Sequence, residues 1–225
     1  MKQLVLALYA EGRTDERFLP VIVQREADWL LRQHALAAVD VLEPLSLEAD
    51  PEASNRAKRI LSVARQAAGF HALIVHADAD APTAGDALQH RFQPGRRLVQ
   101  ESENDACRDL LPIIPIRMTE AWMMADVEAF REVVGTDLRA EDLGFPTRSH
   151  QVEAIQDPKH ELNMALSQIF TRRRRRKKAR LRQYYEPLAR HIRLDRLENI
   201  PAFRQFADDL ADVLENLHFI RSGEG

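Results

Sequence analysis

Among 225 residues there is one cysteine, Cys107. A single thiol excludes an internal disulfide framework and any cysteine-based zinc cluster, and Cys107 itself reads as a small buried residue. No apolar stretch approaches the length needed to cross a bilayer. The short apolar run after Met1-Lys2-Gln3 is a strand-length segment rather than a signal peptide. His71, His150 and His160 have no partner at metal-ligand spacing, so a zinc site is not expected. Internal repeats are absent, and the arginine run is the one low-complexity segment. These absences lead to the expectation of a soluble cytoplasmic protein whose chemistry rests on carboxylates and basic side chains.

Two apolar runs carry the strongest signal that is present. Leu4-Val5-Leu6-Ala7-Leu8-Tyr9-Ala10 delivers Glu11 and then Gly12, and Ala72-Leu73-Ile74-Val75-His76-Ala77 delivers Asp78 and Asp80. In an open parallel sheet, ligands and chemistry collect at the carboxyl ends of the strands. Three acids aimed at that edge repel one another unless something positive sits between them, and a hard divalent cation with oxygen ligands fills that role most simply. The plainer reading is helix capping, which explains many acids that follow strands. Thr14 is an available N-cap for the next helix, which leaves Glu11 unemployed. Asp78-Ala79-Asp80 runs into the turn Ala81-Pro82-Thr83-Ala84-Gly85, so capping explains at most one of the two aspartates.

With 45% hydrophobic and 30% charged residues, the chain suits one large domain or one domain with a modest appendage. Alternating periodicities predict strands over 3–10, 37–42, 71–77 and 112–117. Helices are expected over 14–33 and 54–68, with a short one near 100–110 after a long loop from Asp80 to Val99. The second half reads as helices over 119–134, 159–183 and 202–217. The expected fold is therefore α/β, a parallel sheet flanked by helices over 1–135, with a mainly helical part over 136–225 packed on it. Trp122, Met123 and Met124 read as core, and His76 as a strand residue facing a helix. The tail from Arg221 to Gly225 has no packing signal.

The net charge of −3 conceals an asymmetry. Arg172, Arg173, Arg174, Arg175, Arg176, Lys177, Lys178, Arg180 and Arg182 put nine positive charges in one segment and leave −12 on the remainder. So many like charges cannot be core; the segment is solvated, docks an acidic partner, or meets phosphates, and it reads as a candidate nucleic-acid contact.

The pieces together resemble the Toprim domain shared by topoisomerases, primases and OLD-type nucleases. Glu-Gly-Arg-Thr-Asp-Glu-Arg-Phe-Leu at 11–19 is similar to the opening of small stand-alone Toprim-like proteins, a family often described as of unknown function. Glu120-Ala121-Trp122-Met123-Met124-Ala125-Asp126 and Asp157-Pro158-Lys159 resemble two further elements of that group. The resemblance covers about residues 4–160 and implies a Rossmann-like sheet. It implies Glu11 as general acid or base, or as a second metal ligand, and Asp78 and Asp80 as ligands of Mg2+ (or Mn2+). Pro82 occupies the third place of the longer Asp-x-Asp-x-Asp form, and Glu120 could supply the missing ligand from the same sheet edge. Asp126 stands six residues beyond it, about 600° around a helix, and ranks below it. Arg13 and Lys159 are candidates to stabilise transition-state charge. The resemblance further implies an ATPase partner and a setting in phage defence or genome maintenance. The expected function is an Mg2+-dependent nuclease or nicking subunit. Two rivals are a non-catalytic subunit that binds nucleic acid or an ATPase, and a phosphotransferase or phosphatase acting on a small substrate.

Overall fold

The computed structural model describes residues 2–102, 105–172 and 180–221. Strand β1 (Lys2–Leu4) and strand β2 (Leu6–Tyr9) lie along the first apolar run and break at Val5. There the Val5 N–H donates to His71 Nδ1 at 3.0 Å while the Val5 carbonyl accepts from the His71 N–H at 2.9 Å. Next come helix α1 (Asp15–His34), β3 (Val39–Val41), β4 (Leu45–Ser46), α2 (Arg56–Gln66) and β5 (Ala72–His76). After a π-helical turn over Ala87–Phe92 the chain forms α3 (Gln93–Glu101) and β6 (Leu110–Ile113). β1 pairs with β3, and a four-stranded sheet has the order β4-β2-β5-β6, with every pairing parallel. The protein is thus an α/β molecule of Rossmann-like build.

Side-chain alternation along the strands divides the core. Leu6, Leu8, Ala72, Ile74, Leu111 and Ile113 face the side covered by α1. Ala7, Tyr9, Leu73, Val75 and Leu110 face α2 and α3. Both faces are buried, which is why the strands read as continuous apolar runs. Asn55 starts α2 by accepting the Lys58 N–H at 3.0 Å. α3 lies unusually close to α2, because a Cβ on Gly95 would stand 2.5 Å from Ile60 Cδ1 and 2.8 Å from Ile60 Cβ.

The sequence places several boundaries differently. Most of the expected loop over 80–99 is helical, and the helix expected near 100–110 has ended by Glu101. Pro94 does not stop it: it stands at the junction where the π-helical turn passes into α3, within the first two positions of that helix. The strand expected over 112–117 is β6 at 110–113. Beyond it the chain continues as an irregular ladder in which the N–H groups of Ala77, Ala79 and Asp80 donate to the carbonyls of Ile113, Pro115 and Arg117. The helix expected over 119–134 is split into a 3-10 turn over Thr119–Met124 and α4 (Val127–Val134). Asp126 makes the break: its Oδ1 accepts the Glu128 and Ala129 N–H groups as an N-cap, and its Oδ2 accepts from Arg193 Nε at 3.0 Å. Thr14 makes no side-chain capping bond to α1.

Beyond residue 135 lie α5 (Ala140–Leu143), α6 (Pro158–Arg172), α7 (Tyr185–His191), α8 (Leu194–Glu198) and α9 (Pro201–Asn216). These helices share the hydrophobic cluster on the α1 side of the sheet. Trp122 is fully buried there, edge-on to Phe203 with ring centroids 5.2 Å apart. Of the basic run, Arg172 ends α6 and Arg180 and Arg182 are exposed, while Arg173 to Lys178 lie outside the described residues. Among the described residues no helix is long and apolar enough to cross a membrane.

Candidate active site

β2, β5 and β6 run parallel, so the segments that follow them leave the sheet at one edge. The register Tyr9↔Val75 puts Glu11 beside the end of β5, and the ladder from Ala77 to Asp80 draws the residues after β6 to the same place. Glu11, Gly12, Thr14, Asp15, Asp78, Met118, Glu120 and Lys159 line a cavity of about 230 Å³ there. Four carboxylates and one ammonium group therefore converge on a small space. A larger cavity, about 670 Å³, lies away from them between α3, β6 and α9; its floor includes Leu88, Leu110, Leu111 and Phe206.

His76, fully buried at the end of β5, organises the edge. Its Nδ1 accepts the Glu11 N–H at 3.2 Å, so the ring proton belongs on Nε2. Nε2 stands 3.3 Å from Asp78 Oδ1 and 3.3 Å from Thr119 Oγ1. Asp78 Oδ1 also accepts the Thr119 N–H at 3.1 Å, which leaves Oδ2 without a partner among the described residues. Asp15 is buried in the first turn of α1, with Oδ2 at 3.9 Å from His76 Nδ1. Burial, reinforced by the charges of Asp78 and Glu120, holds its carboxyl above the ordinary value, against the opposing pull of His76. Gly12 makes room for it, because a Cβ there would come within 2.8 Å of Asp15 Oδ2.

Glu120 comes from the 3-10 turn and is almost fully buried. Its Oε1 accepts from Tyr185 Oη at 2.5 Å and lies 3.4 Å from Lys159 Nζ. Burial, followed by the Glu120 charge, raises the Tyr185 phenol far above its usual range, so it acts as a fixed donor. Lys159, in the first turn of α6, and Tyr185, on α7, bring the helical second half into the site.

Two arginines occupy the outer rim. Arg91 Nη2 donates to Asp80 Oδ2 at 2.8 Å, while its Nη1 donates to the Asp78 carbonyl at 2.9 Å and to Glu11 Oε2 at 3.4 Å. Arg56 Nη1 lies 3.7 Å from Glu11 Oε1, and its Nη2 donates to the His76 carbonyl at 2.6 Å. Asp80 is exposed, has a left-handed backbone with φ of 51°, and does not line the cavity. Its N–H donates to the carbonyl of Arg117, which is also left-handed with φ of 65°. Such backbone costs on the order of 1–3 kcal/mol per residue and concentrates at functional edges.

The structure brings Glu11, Asp78, Glu120 and Lys159 together and turns Asp80 outward. Arg13 is exposed and makes no ion pair among the described residues. Asp15, His76, Thr119, Arg56, Arg91 and Tyr185 join the site without having been singled out for it from sequence. Asp15 left a trace as a further acid in the turn that follows Glu11, and His76 as a polar residue in an apolar strand.

Among the described residues no three His, Cys, Asp or Glu side chains stand together as a metal-binding group, and Glu11 and Asp80 are turned to the arginines. The donor chemistry nevertheless fits a hard cation: carboxylate oxygens, no sulfur, and one aspartate oxygen held in place and unpartnered.

A family model described as a domain of unknown function, DUF4276, matches residues 10–211. The chain belongs to this family. The matched span opens one residue before Glu11 and closes within α9, so it includes every residue of the cavity. No curated protein and no solved structure matches the chain.

Proposed function

We propose that the cavity is the active site of an Mg2+-dependent phosphodiesterase acting on nucleic acid, a nuclease or nicking subunit of Toprim-like type. The observation that carries this reading is the convergence of Glu11, Asp15, Asp78 and Glu120 with Lys159 on one cavity at the carboxyl edge of a parallel sheet. Asp15, Asp78 and Glu120 face one ammonium, and Glu11, shared with Arg56 and Arg91 at the rim, adds a fourth acid, which makes the pocket attractive to a cation. Asp78 and Glu11 would hold the ion, with Glu120 and Asp15 completing the charge around it. The ion would neutralise the phosphoryl oxygens and lower the pKa of a bound water. His76 and Thr119 keep the Asp78 carboxylate aimed, and Tyr185 does the same for Glu120. Lys159 places a positive charge where the phosphoryl group would enter.

Calorimetric titration with Mn2+ tests this. Wild-type protein should bind the ion, and Asp78→Asn should weaken binding roughly 10- to 100-fold, the scale of altering groups that set a metal site. Unchanged affinity in Asp78→Asn would contradict the assignment. The pairing of Glu11 and Asp80 with arginines supports a second reading, in which the acids are structural and the chain is a non-catalytic subunit that binds nucleic acid or an ATPase. That reading expects no divalent-ion binding in the cavity.

The arginine run is part of the same proposal, as a sequence-independent contact to the phosphate backbone in the cytoplasm. If about five of its charges meet phosphates, log K should fall against log salt with a slope of roughly −4 to −5 on duplex DNA. Replacing Arg172 to Arg176 with glutamine should flatten that slope, as read from binding at several salt concentrations. An unaltered slope with a lost protein complex would assign the run to partner docking.

A further inference from the structure

We infer that Arg91 is a phosphate-binding arm that exchanges Glu11 and Asp80 for a backbone phosphate when a divalent cation engages the carboxylates. The inference rests on the reading of the cavity as a cation-dependent phosphodiester site and adds how substrate and ion are coupled there. Arg91 spans the rim, with one nitrogen on Asp80, another shared between Glu11 and the Asp78 carbonyl. In this arrangement its guanidinium occupies the position of counter-ion to the same acids that a cation would need. A cation that draws Glu11 inward removes one of the two carboxylates from Arg91. With Nη1 released from Glu11, a phosphate that displaces the exposed Asp80 from Nη2 meets both arms of the fork, a geometry that lysine cannot reproduce.

Three features favour a phosphate as the new partner. Arg91 is about one-third exposed, so its fork can turn outward without unburying core. Arg56 braces its base by donating from Nε to the Arg91 carbonyl at 3.0 Å, which puts two guanidinium groups side by side at the rim. The first turns of α2 add cations beside the rim: Arg56, Lys58 and Arg59 stand there with no acid on the helix itself, while Arg65 further along is paired with Asp105 at 3.0 Å. Lys58, Arg59 and Arg97 are exposed and make no ion pair among the described residues. An anionic chain crossing α2 and α3 would therefore arrive at Arg56 and Arg91 before it reaches the carboxylates.

Because each ligand releases a partner of the other, their binding is coupled, and the coupling is reciprocal. The test is calorimetry of Mn2+ and of a short phosphorothioate DNA strand, each titrated alone and in the presence of the other. In wild type, saturating Mn2+ should tighten the strand by about 10-fold, and the strand should tighten Mn2+ by the same factor. Arg91→Met should bind Mn2+ alone more tightly than wild type while losing the coupling. Asp80→Asn, which removes the closest carboxylate from Arg91, should tighten the strand several-fold without any cation. The arginine run is the same in wild type and Arg91→Met, so the difference in coupling between these two proteins isolates the rim from any effect of Mn2+ on the run. Coupling of wild-type size in Arg91→Met, or no gain for the strand in Asp80→Asn, overturns the exchange and leaves the cation site standing. Failure of wild type to bind Mn2+ even with the strand present overturns the cavity assignment and the exchange together.

Discussion

Replacing Glu26 with methionine is expected to stabilise the protein by about 3 kcal/mol more at pH 8 than at pH 4. Glu26 lies on α1, is fully buried, and neither carboxyl oxygen has a hydrogen-bond partner. Burial, with the charge of Glu198 adding to it and that of Arg25 opposing it, raises its carboxyl from an ordinary 4.5 to about 7. The sign follows from linkage. With a folded pKa above the unfolded one, the native state holds a proton that the unfolded chain has released, so stability falls as pH rises from about 4.5 to about 7 and is flat above. A shift of that size corresponds to roughly 3 kcal/mol. Methionine has similar volume and no charge to desolvate, so the variant loses this slope. For a chain of this length the difference should appear as a change in Tm roughly 6–12 °C more favourable at pH 8 than at pH 4. Thermal unfolding at a series of pH values checks it, and a difference between variant and wild type that does not change with pH would refute it.

Gly95→Val should cost about 3 kcal/mol, at the upper end for overpacking a buried contact. The new Cβ would meet Ile60 at 2.5 to 2.9 Å, and Ile60 is itself fully buried, so neither side can yield cheaply. Relief requires α3 to move off α2. That movement would pull Arg91 from Arg56 and from Glu11, so the rim should loosen along with the core. Placing the same change in an Ile60→Ala background should recover about 1 kcal/mol of that cost and no more, because the Cδ1 and Cγ2 contacts go while alanine keeps the Cβ at 2.8 Å, a coupling that a double-mutant cycle measures by denaturant unfolding. Additive costs would show that Gly95 is not limited by Ile60.

The acids legible in the sequence were those whose position is set locally. Glu11 and Asp78 each follow an apolar strand run at once, and a parallel sheet delivers both to one edge. Lys159 and Glu120 open helical turns, so their direction into the site follows from a short stretch of chain. His76 was visible only as a polar residue in an apolar strand. Its bond to the Glu11 N–H depends on β2 pairing with β5 in the register Tyr9↔Val75, which no local pattern encodes. Asp80 misled for a related reason: two residues from Asp78 it should share a strand face, but its left-handed backbone turns it out to Arg91. Arg91 comes from a segment whose proline and glycines read as loop, although Pro94 opens a helix and Gly95 serves a helix contact. The positive charge expected among the acids is therefore present, supplied in this arrangement by Arg91 and Arg56.

Crystals soaked in Mn2+ and measured at the manganese absorption edge examine that replacement at the atoms concerned. An anomalous peak should lie in the cavity about 2.1 Å from Asp78 Oδ2, with Glu11 turned inward to it and Arg91 withdrawn from Glu11. A cavity with no peak at saturating Mn2+, with Arg91 still bridging Glu11 and Asp80, would contradict the assignment of a cation-dependent active site.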